Sequence, residues 1–376
     1  MSYIDEYIID TPHGKIIDID SIDLKYLVDK YGKDSLINDI ISKIQSYEID
    51  YPYTIHCSPD VCYLFNNLSK LELTTTGSKW NLLGVLNSRY SNTYNGLEYL
   101  SIVVKLCSYM RMDIITDIYS EKERLKCVVY GNKPPIEMWL DKDILRKVLT
   151  ECINTYDMIS TFSLRESLYS TRLIKYCNLY KVSIVKQVIT LFNAKRIIDL
   201  SCGWGDRLIG SMGAKAECYH GCDPNVNMTP IYKEMVRDLN QGTDVNIQTV
   251  KAEDYVIKEN YYDLFHSSPP FWIKEVYPDV DTTVSLDDWK VNFLYVYVKK
   301  AVHSVKKGGY ITIYISEYGK IQYCNDMNDY INKMGLCEYI GCIGIASEKV
   351  DSISAKGNTI DINRYPIWVW KKIFEQ

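Results

Sequence analysis

The stretch Ile197-Ile-Asp-Leu-Ser-Cys-Gly-Trp-Gly-Asp-Arg-Leu-Ile209 constrains this chain more than any other. A short apolar run ending in Asp199 reads as a buried parallel strand, and Gly203 and Gly205 let the backbone turn sharply and approach a ligand. A helix should begin at Asp206. Alone, the pattern also suits an ordinary strand, glycine turn and helix. The dinucleotide-binding version fits poorly, because its third glycine position, three residues after Gly205, holds Leu208.

Two further strand ends raise the functional reading. Cys218 to Cys222 ends at Asp223, and 223 − 199 = 24 residues, close to the ~20 expected of an acid that reaches a ribose from the next strand. Asp263-Leu-Phe-His-Ser-Ser-Pro-Pro-Phe-Trp272 is another strand, ending in Ser-Pro-Pro-Phe. An acid placed before the glycines would accept hydrogen bonds from a polar or cationic ligand group, which suits an adenosyl sulfonium better than a pyrophosphate.

In this order the three pieces resemble a class I S-adenosylmethionine-dependent methyltransferase. Ser268-Pro-Pro-Phe271 is similar to the [Asp/Asn/Ser]-Pro-Pro-[Tyr/Phe/Trp] signature of enzymes that methylate exocyclic amino nitrogens. The resemblance spans roughly Ile197 to Ile373, about half the chain. It implies a Rossmann-like α/β sheet, mostly parallel with an antiparallel last strand and the last pair at one edge, with helices on both faces. It also implies S-adenosylmethionine bound by Asp199, Ser201, Gly203, Gly205 and Asp223, and an acid, Glu253 or Asp254, placed against the adenine amino group. Ser268, Pro269, Pro270 and Phe271 would form the catalytic turn.

An amino group on an aromatic base is a poor nucleophile, because its lone pair is delocalised into the ring. Ser268 Oγ and the Pro269 carbonyl are suited to accept its two protons and aim the lone pair at a methyl group, and the two prolines fix the backbone that holds them. Phe271 would stack on the base, and a duplex base would be flipped out to enter. No metal is required. Serine in the first motif position resembles the cytosine-N4 more than the adenine-N6 DNA enzymes, but those usually carry the cofactor motif after the Pro-Pro motif, the reverse of this order. RNA amino-methylation, protein glutamine-amide methylation and a non-catalytic methyltransferase-like subunit remain alternatives. Cytosine-C5 chemistry is disfavoured by the lack of a Pro-Cys dipeptide.

The chain has 376 residues, 47% of them hydrophobic, enough to fill two cores of ordinary size. No apolar run approaches the ~18 residues of a membrane span, and Met1 to Asp10 lacks the basic start and apolar stretch of a signal peptide. An intracellular protein is expected. The heavy use of Tyr, Ile, Asn, Asp and Lys hints at an AT-rich genome such as that of a large DNA virus or a protist. Twelve cysteines include no Cys-x-x-Cys pair, so neither a zinc ribbon nor a disulfide framework is indicated. Cys218, His220 and Cys222 share one strand face and read as buried groups.

Net charge is 43 − 48 = −5, which argues mildly against indiscriminate nucleic-acid binding. Its distribution points the other way. Between Phe162 and Arg196 stand Arg165, Arg172, Lys175, Lys181, Lys186, Lys195 and Arg196 against one acid, Glu166. This stretch is either a phosphate-binding surface, for DNA ahead of RNA, or a solvated helix face.

A mainly helical N-terminal domain, residues 1–160, is expected to bind substrate or a partner, with the methyltransferase domain at 161–376. Strands are read around Ile16 to Ile22, and helices over Leu24 to Ser46, Leu97 to Met112 and Ile144 to Leu191. Lys79, Trp80, Arg89, Tyr90 and Tyr94 have the composition of a base-stacking surface. Lys133-Pro-Pro-Ile136 reads as a turn. Ser285 opens a helix running to Val302 that Gly308-Gly309 closes, and strands follow at Tyr310 to Ser316, Glu338 to Ile345 and Ile367 to Ile373.

Overall fold

The computed structural model describes residues 2–73, 100–104, 112–129, 131–272, 275–276, 284–316, 323–347 and 367–375. In chain order its strands are β1 (Ile8–Thr11), β2 (Gly14–Ile17), β3 (Leu100–Val104), β4 (Val128–Val129), β5 (Arg196–Asp199), β6 (Cys218–Cys222), β7 (Asp244–Gln248), β8 (Tyr262–Ser267), β9 (Glu275–Val276), β10 (Val305–Tyr314), β11 (Cys337–Ser347) and β12 (Ile367–Lys372). The chain forms two compact units that interleave along the sequence rather than meeting at one cut after residue 160. One comprises Met1–Pro59, Asp117–Asn178 and Glu275–Pro278, the other Asp60–Thr116, Leu179–Lys274 and Asp279–Gln376.

The first unit is mainly helical, with the β1–β2 hairpin and the short β4–β9 ladder. The apolar residues of Leu24 to Ser46 recur at helical spacing, yet they form two helices, Ser21–Tyr31 and Lys33–Gln45, because Gly32 between them takes φ 83°. Leu27, Ile37, Ile40, Ile44, Trp139, Leu145 and Leu149 belong to its core. Pro135–Met138 is a single helical turn where a plain turn is expected, with proline at a position whose missing N–H costs nothing. The expected helical stretch Ile144 to Leu191 is three helices, Lys142–Glu151, Thr161–Ser170 and Val182–Leu191, the last of them in the second unit.

The second unit is built on an eight-stranded sheet of order β3-β11-β12-β10-β8-β5-β6-β7. Every pairing is parallel except the two made by β12, which runs antiparallel between β10 and β11. This is the expected Rossmann-like sheet with an antiparallel last strand. The antiparallel strand is internal, however, and the edge beside β11 is β3. Its Leu-Ser-Ile-Val-Val run lies where helix is read from Leu97 to Met112. Short β-branched runs suit either structure until a partner strand decides; the remainder of that stretch and Lys79 to Tyr94 lie outside the described residues. Gly308 and Gly309 do not end a helix but sit within β10, where the register with β8 shifts and Gly308 takes φ 82°.

Alternation along the strands gives the sheet two covered faces. Phe265 and Ile311 pack with Tyr297 and Val298 of the helix Tyr295–Ser304. On the other face Tyr310 meets Phe192, and His266 and Tyr314 meet Tyr180. The helices Val182–Leu191 and Asp206–Gly213 approach closely at Gly210, where an added Cβ would lie 2.5 Å from Val185 Cγ1. Among the described residues no helix is long and apolar enough to cross a membrane.

Candidate functional site at the sheet's switch point

Because β5, β6, β7 and β8 are parallel, their C-terminal ends share one edge. From β5 the order steps outward to β6 and β7 on one side and to β8 and β10 on the other. The gap between the ends of β5 and β8 is therefore the reversal point, where open α/β sheets bind ligands. Sequence places the glycine turn at the end of β5 and Ser-Pro-Pro-Phe at the end of β8.

The glycine turn has the conformation that requires glycine. Gly203 takes φ 57° and Gly205 φ 95°, and an added Cβ on Gly205 would lie 2.5 Å from the sulfur of buried Met235. Gly205 caps the helix Asp206–Gly213, which is buried throughout.

Asp199 departs from expectation. It is fully buried and accepts hydrogen bonds from Ser201 N at 3.0 Å, Arg207 Nε at 2.7 Å, Tyr219 OH at 2.6 Å and Ser267 Oγ. A carboxylate has about four acceptor sites, and all are filled from within the protein. Asp199 thus holds the turn together and does not present itself to a ligand. Burial is the largest single influence on Arg207 and would lower its pKa, but the charge and hydrogen bond of Asp199, with Tyr219 and Tyr297, together raise it and hold the guanidinium charged. Arg207 also donates to the Ser201 carbonyl and lies against the Tyr180 ring at 5.4 Å.

The same carboxylate links the two motifs. Ser201 Oγ donates to Tyr297 OH at 3.3 Å, Tyr297 OH donates to Ser267 Oγ, and Ser267 Oγ donates to Asp199. A buried chain of hydroxyls thereby fixes the glycine turn against the residue preceding Ser268.

Asp223 stands half-buried at the end of β6 and accepts from Gly203 N at 2.7 Å and Asn225 N at 3.0 Å. Burial pushes its carboxyl up to about 6, against the pull of these two backbone donors. Past β7, Lys300 gathers the carbonyls of Ala252, Glu253 and Tyr255 at 2.9, 2.5 and 2.8 Å, leaving the Glu253 side chain half-buried and Asp254 exposed. Either acid can meet a ligand; the geometry favours neither.

Ser268 is half-buried and donates its single hydroxyl proton to the Tyr314 carbonyl at 3.0 Å, so its oxygen faces any incoming group as an acceptor. Pro269 is buried and Pro270 half-buried. Phe271 is 8% exposed and belongs to the sheet's core, its ring 6.3 Å from that of Tyr314, so only a small part of it is available for stacking.

The basic stretch is not a continuous free surface. Arg165 donates to Glu121 and to the Pro52 carbonyl, both at 2.8 Å. Lys186 is buried on the carbonyls of Ser69 and Leu71, and Arg196 pairs with Asp263. Arg165 therefore drops out as a phosphate ligand, since releasing it would take from buried Glu121 its nearest cation, leaving only Arg124 at 3.9 Å and the Thr54 N–H. Arg172, Lys175 and Lys195 are exposed and Lys181 half-buried. On β6, Cys218 and Cys222 are buried, and His220 bonds Tyr262 OH and Asp244.

Arg207, Tyr219, Ser267 and Tyr297 escape a sequence reading of the site. Arg207 alone leaves a trace, as a cation in the first turn of a helix that is buried throughout. The others come from distant segments that only the folded sheet brings together.

No family profile matches this chain, and no curated protein does. Among solved structures, it is similar to a putative S-adenosylmethionine-dependent methyltransferase from Listeria monocytogenes, with 15% identity and TM-score 0.34 over 51% of this chain and 97% of that one. A second, from Methanococcus maripaludis, gives 16% identity and TM-score 0.34 over 51% and 84%. The tRNA (m1A58) methyltransferase of Aquifex aeolicus gives 9% and 0.35 over 53% and 72%. These distant likenesses assign no activity by themselves.

Proposed function

We propose that this chain is an S-adenosylmethionine-dependent methyltransferase acting on an exocyclic amino nitrogen of a nucleic-acid base, adenine N6 or cytosine N4, in DNA ahead of RNA. The observation that carries the reading is the pairing of a glycine turn at the end of β5 with a Ser-Pro-Pro turn at the end of β8, on the two sides of the sheet's reversal point. The residues fit the cofactor: side-chain-free backbone at Gly203, a left-handed turn at Gly205 packed against Met235, and a half-buried carboxylate at Asp223 for the ribose hydroxyls. Glu253 or Asp254 would take the adenine amino group, and Ser201 lines the turn. Asp199 acts through the turn it holds.

The bound cofactor supplies an electrophilic methyl group on a sulfonium. Ser268 Oγ and the Pro269 carbonyl accept the two amino protons, which frees the nitrogen lone pair for in-line attack. S-adenosylmethionine held by the Gly203–Gly205 turn, Asp223 and Glu253 or Asp254 would supply that methyl to the amino nitrogen and leave as the thioether, and the surplus amino proton, hydrogen-bonded to Ser268 Oγ or the Pro269 carbonyl, would pass to solvent. Catalysis rests on positioning, for which effective molarity supplies up to roughly 7–11 kcal/mol. Exposed Arg172, Lys175 and Lys195 and half-buried Lys181 are the remaining cations of the basic stretch to contact phosphate.

The test is mass spectrometry of nucleosides after incubating the protein with labelled S-adenosylmethionine and mixed DNA and RNA. Labelled N6-methyladenine or N4-methylcytosine is expected. Label in protein glutamine only, or cofactor binding without any transfer, replaces this reading with the protein-amide or non-catalytic one.

A further inference from the structure

Two buried polar atoms beside this site have no hydrogen-bond partner among the described residues: the hydroxyl of Tyr180 and Nε2 of His266. Tyr180 is 8% exposed and His266 fully buried. Buried polar atoms are nearly always satisfied, so two in one place need an explanation. Their rings meet edge to face, with centroids 5.4 Å apart.

The state of His266 follows from its other nitrogen. Thr312 gives its one hydroxyl proton to the Phe265 carbonyl at 2.9 Å, so toward His266 Nδ1 at 2.8 Å it can only accept. Nδ1 therefore carries the proton of the neutral ring, and Nε2 is a bare acceptor. Burial, with Arg207 nearby, pushes the imidazole down to about 3, so it stays neutral at working pH. Burial likewise drives the Tyr180 hydroxyl upward, so it keeps its proton and remains a donor. One donor and one acceptor, not bonded to each other, are carried on rings in edge contact.

Their position ties them to Ser268. His266 lies on β8, two residues before Ser268, which follows the strand's last residue, Ser267. The Tyr180 ring lies edge-on to Tyr314 at 4.9 Å, the Tyr314 carbonyl holds Ser268 Oγ, and Phe271 lies on from Tyr314 at 6.3 Å. Tyr180, Tyr314 and Phe271 thus form a row of aromatic rings alongside the acceptor serine.

Resting on the function proposed above, we infer that Tyr180 and His266 recognise the target base: the tyrosine hydroxyl donates to the ring nitrogen next to the amino-bearing carbon, and His266 Nε2 takes one of the two amino protons in place of the Pro269 carbonyl, Ser268 Oγ taking the other. Adenine and cytosine both offer a bare ring nitrogen at that position. Removing it, as in 1-deazaadenine or 3-deazacytosine, removes the tyrosine's partner.

The experiment compares the parent protein with Tyr180→Phe and His266→Leu. The probes are thymidine oligonucleotides carrying one adenine, one cytosine or the matching deaza base. Single-turnover methyl transfer, S-adenosylmethionine affinity and melting temperature are measured. Tyr180→Phe should slow transfer to the parent's substrate about ten-fold or more, with cofactor affinity within about two-fold. Its melting temperature should hold or rise, because an unsatisfied hydroxyl has been removed. The deaza base should slow the parent by a similar factor and slow Tyr180→Phe no further. His266→Leu should slow transfer on the natural base and on the deaza base alike. A Tyr180→Phe protein as fast as the parent overturns the inference alone. So does one that loses melting temperature and cofactor affinity together, since that marks a hydroxyl satisfied by a structural water. A parent that methylates neither natural base overturns the functional reading and this inference with it.

Discussion

Asp199→Asn is the perturbation with the clearest magnitude. The carboxylate is fully buried, ion-paired with Arg207 at 2.7 Å and bonded by three further donors. The amide keeps one acceptor oxygen and turns an NH2 group toward groups that are themselves donors. At least one of Tyr219, Ser267 or Arg207 is left unpaired, and the guanidinium loses its counter-charge. Breaking a buried ion pair from one side costs about 3–5 kcal/mol, against a total stability on the order of 5–15 kcal/mol. Urea denaturation followed by fluorescence should show this loss. Arg207→Met alone should cost less, because Asp199 keeps three donors. The double variant should be less destabilised than the sum of the singles by at least about 1–2 kcal/mol, as coupled neighbours are. An Asp199→Asn protein within about 1 kcal/mol of the parent, or strict additivity in the cycle, refutes the view of Asp199 as the hub of the site. Asp199→Ala should be worse still. Its failure to bind S-adenosylmethionine would then report an unfolded turn rather than a lost ligand contact.

Three further outcomes are expected. Gly205→Ala should cost about 2–4 kcal/mol in thermal denaturation, combining left-handed backbone strain at φ 95° with a methyl 2.5 Å from Met235 sulfur; a shift under about 1 kcal/mol would mean the turn adopts another conformation. The Asp223 carboxyl, raised to about 6, contributes stability that is fully present below its unfolded value near 3.8 and is lost as pH rises through about 6. Stability should therefore fall more steeply across that window in the parent than in Asp223→Asn, where the slope from other raised carboxyls such as Asp113 and Asp117 remains, and, if Asp223 binds the ribose as proposed, cofactor affinity should rise with pH through the same range by calorimetry. Ser268→Ala should lower single-turnover transfer by about ten- to a hundred-fold, the worth of one hydrogen bond strengthened in the transition state, with cofactor affinity nearly intact; a rate equal to the parent's removes the serine and leaves the Pro269 carbonyl.

What was legible in the sequence is what local backbone rules dictate. The turn at Gly203 and Gly205, the strand ends at Asp199 and Asp223, and the helix cap at Ser285, which accepts from Asp288 N, all follow from residues within a few positions of each other. The alternation of strands and helices carried the sheet. What could not be read depends on partners far along the chain. The β3 run Leu100 to Val104 is a strand because β11 pairs with it in parallel, and nothing local separates that run from a helix. The basic stretch shows the same limit for charge. Arg165 lies in a run of cations, yet Glu121, 44 residues away, claims it. Asp199 is the sharper instance, since an acid at a strand end before a glycine turn looks free for a ligand until Arg207, Tyr219 and Ser267 arrive from three other elements to fill it. Local pattern therefore marked the strand ends and the glycine turn at the sheet's reversal point, while long-range contacts decided which polar groups there remain open. Asp223 and Ser268 keep acceptor capacity after their protein partners are counted, and Asp199 does not; the proposed chemistry therefore rests on the first two.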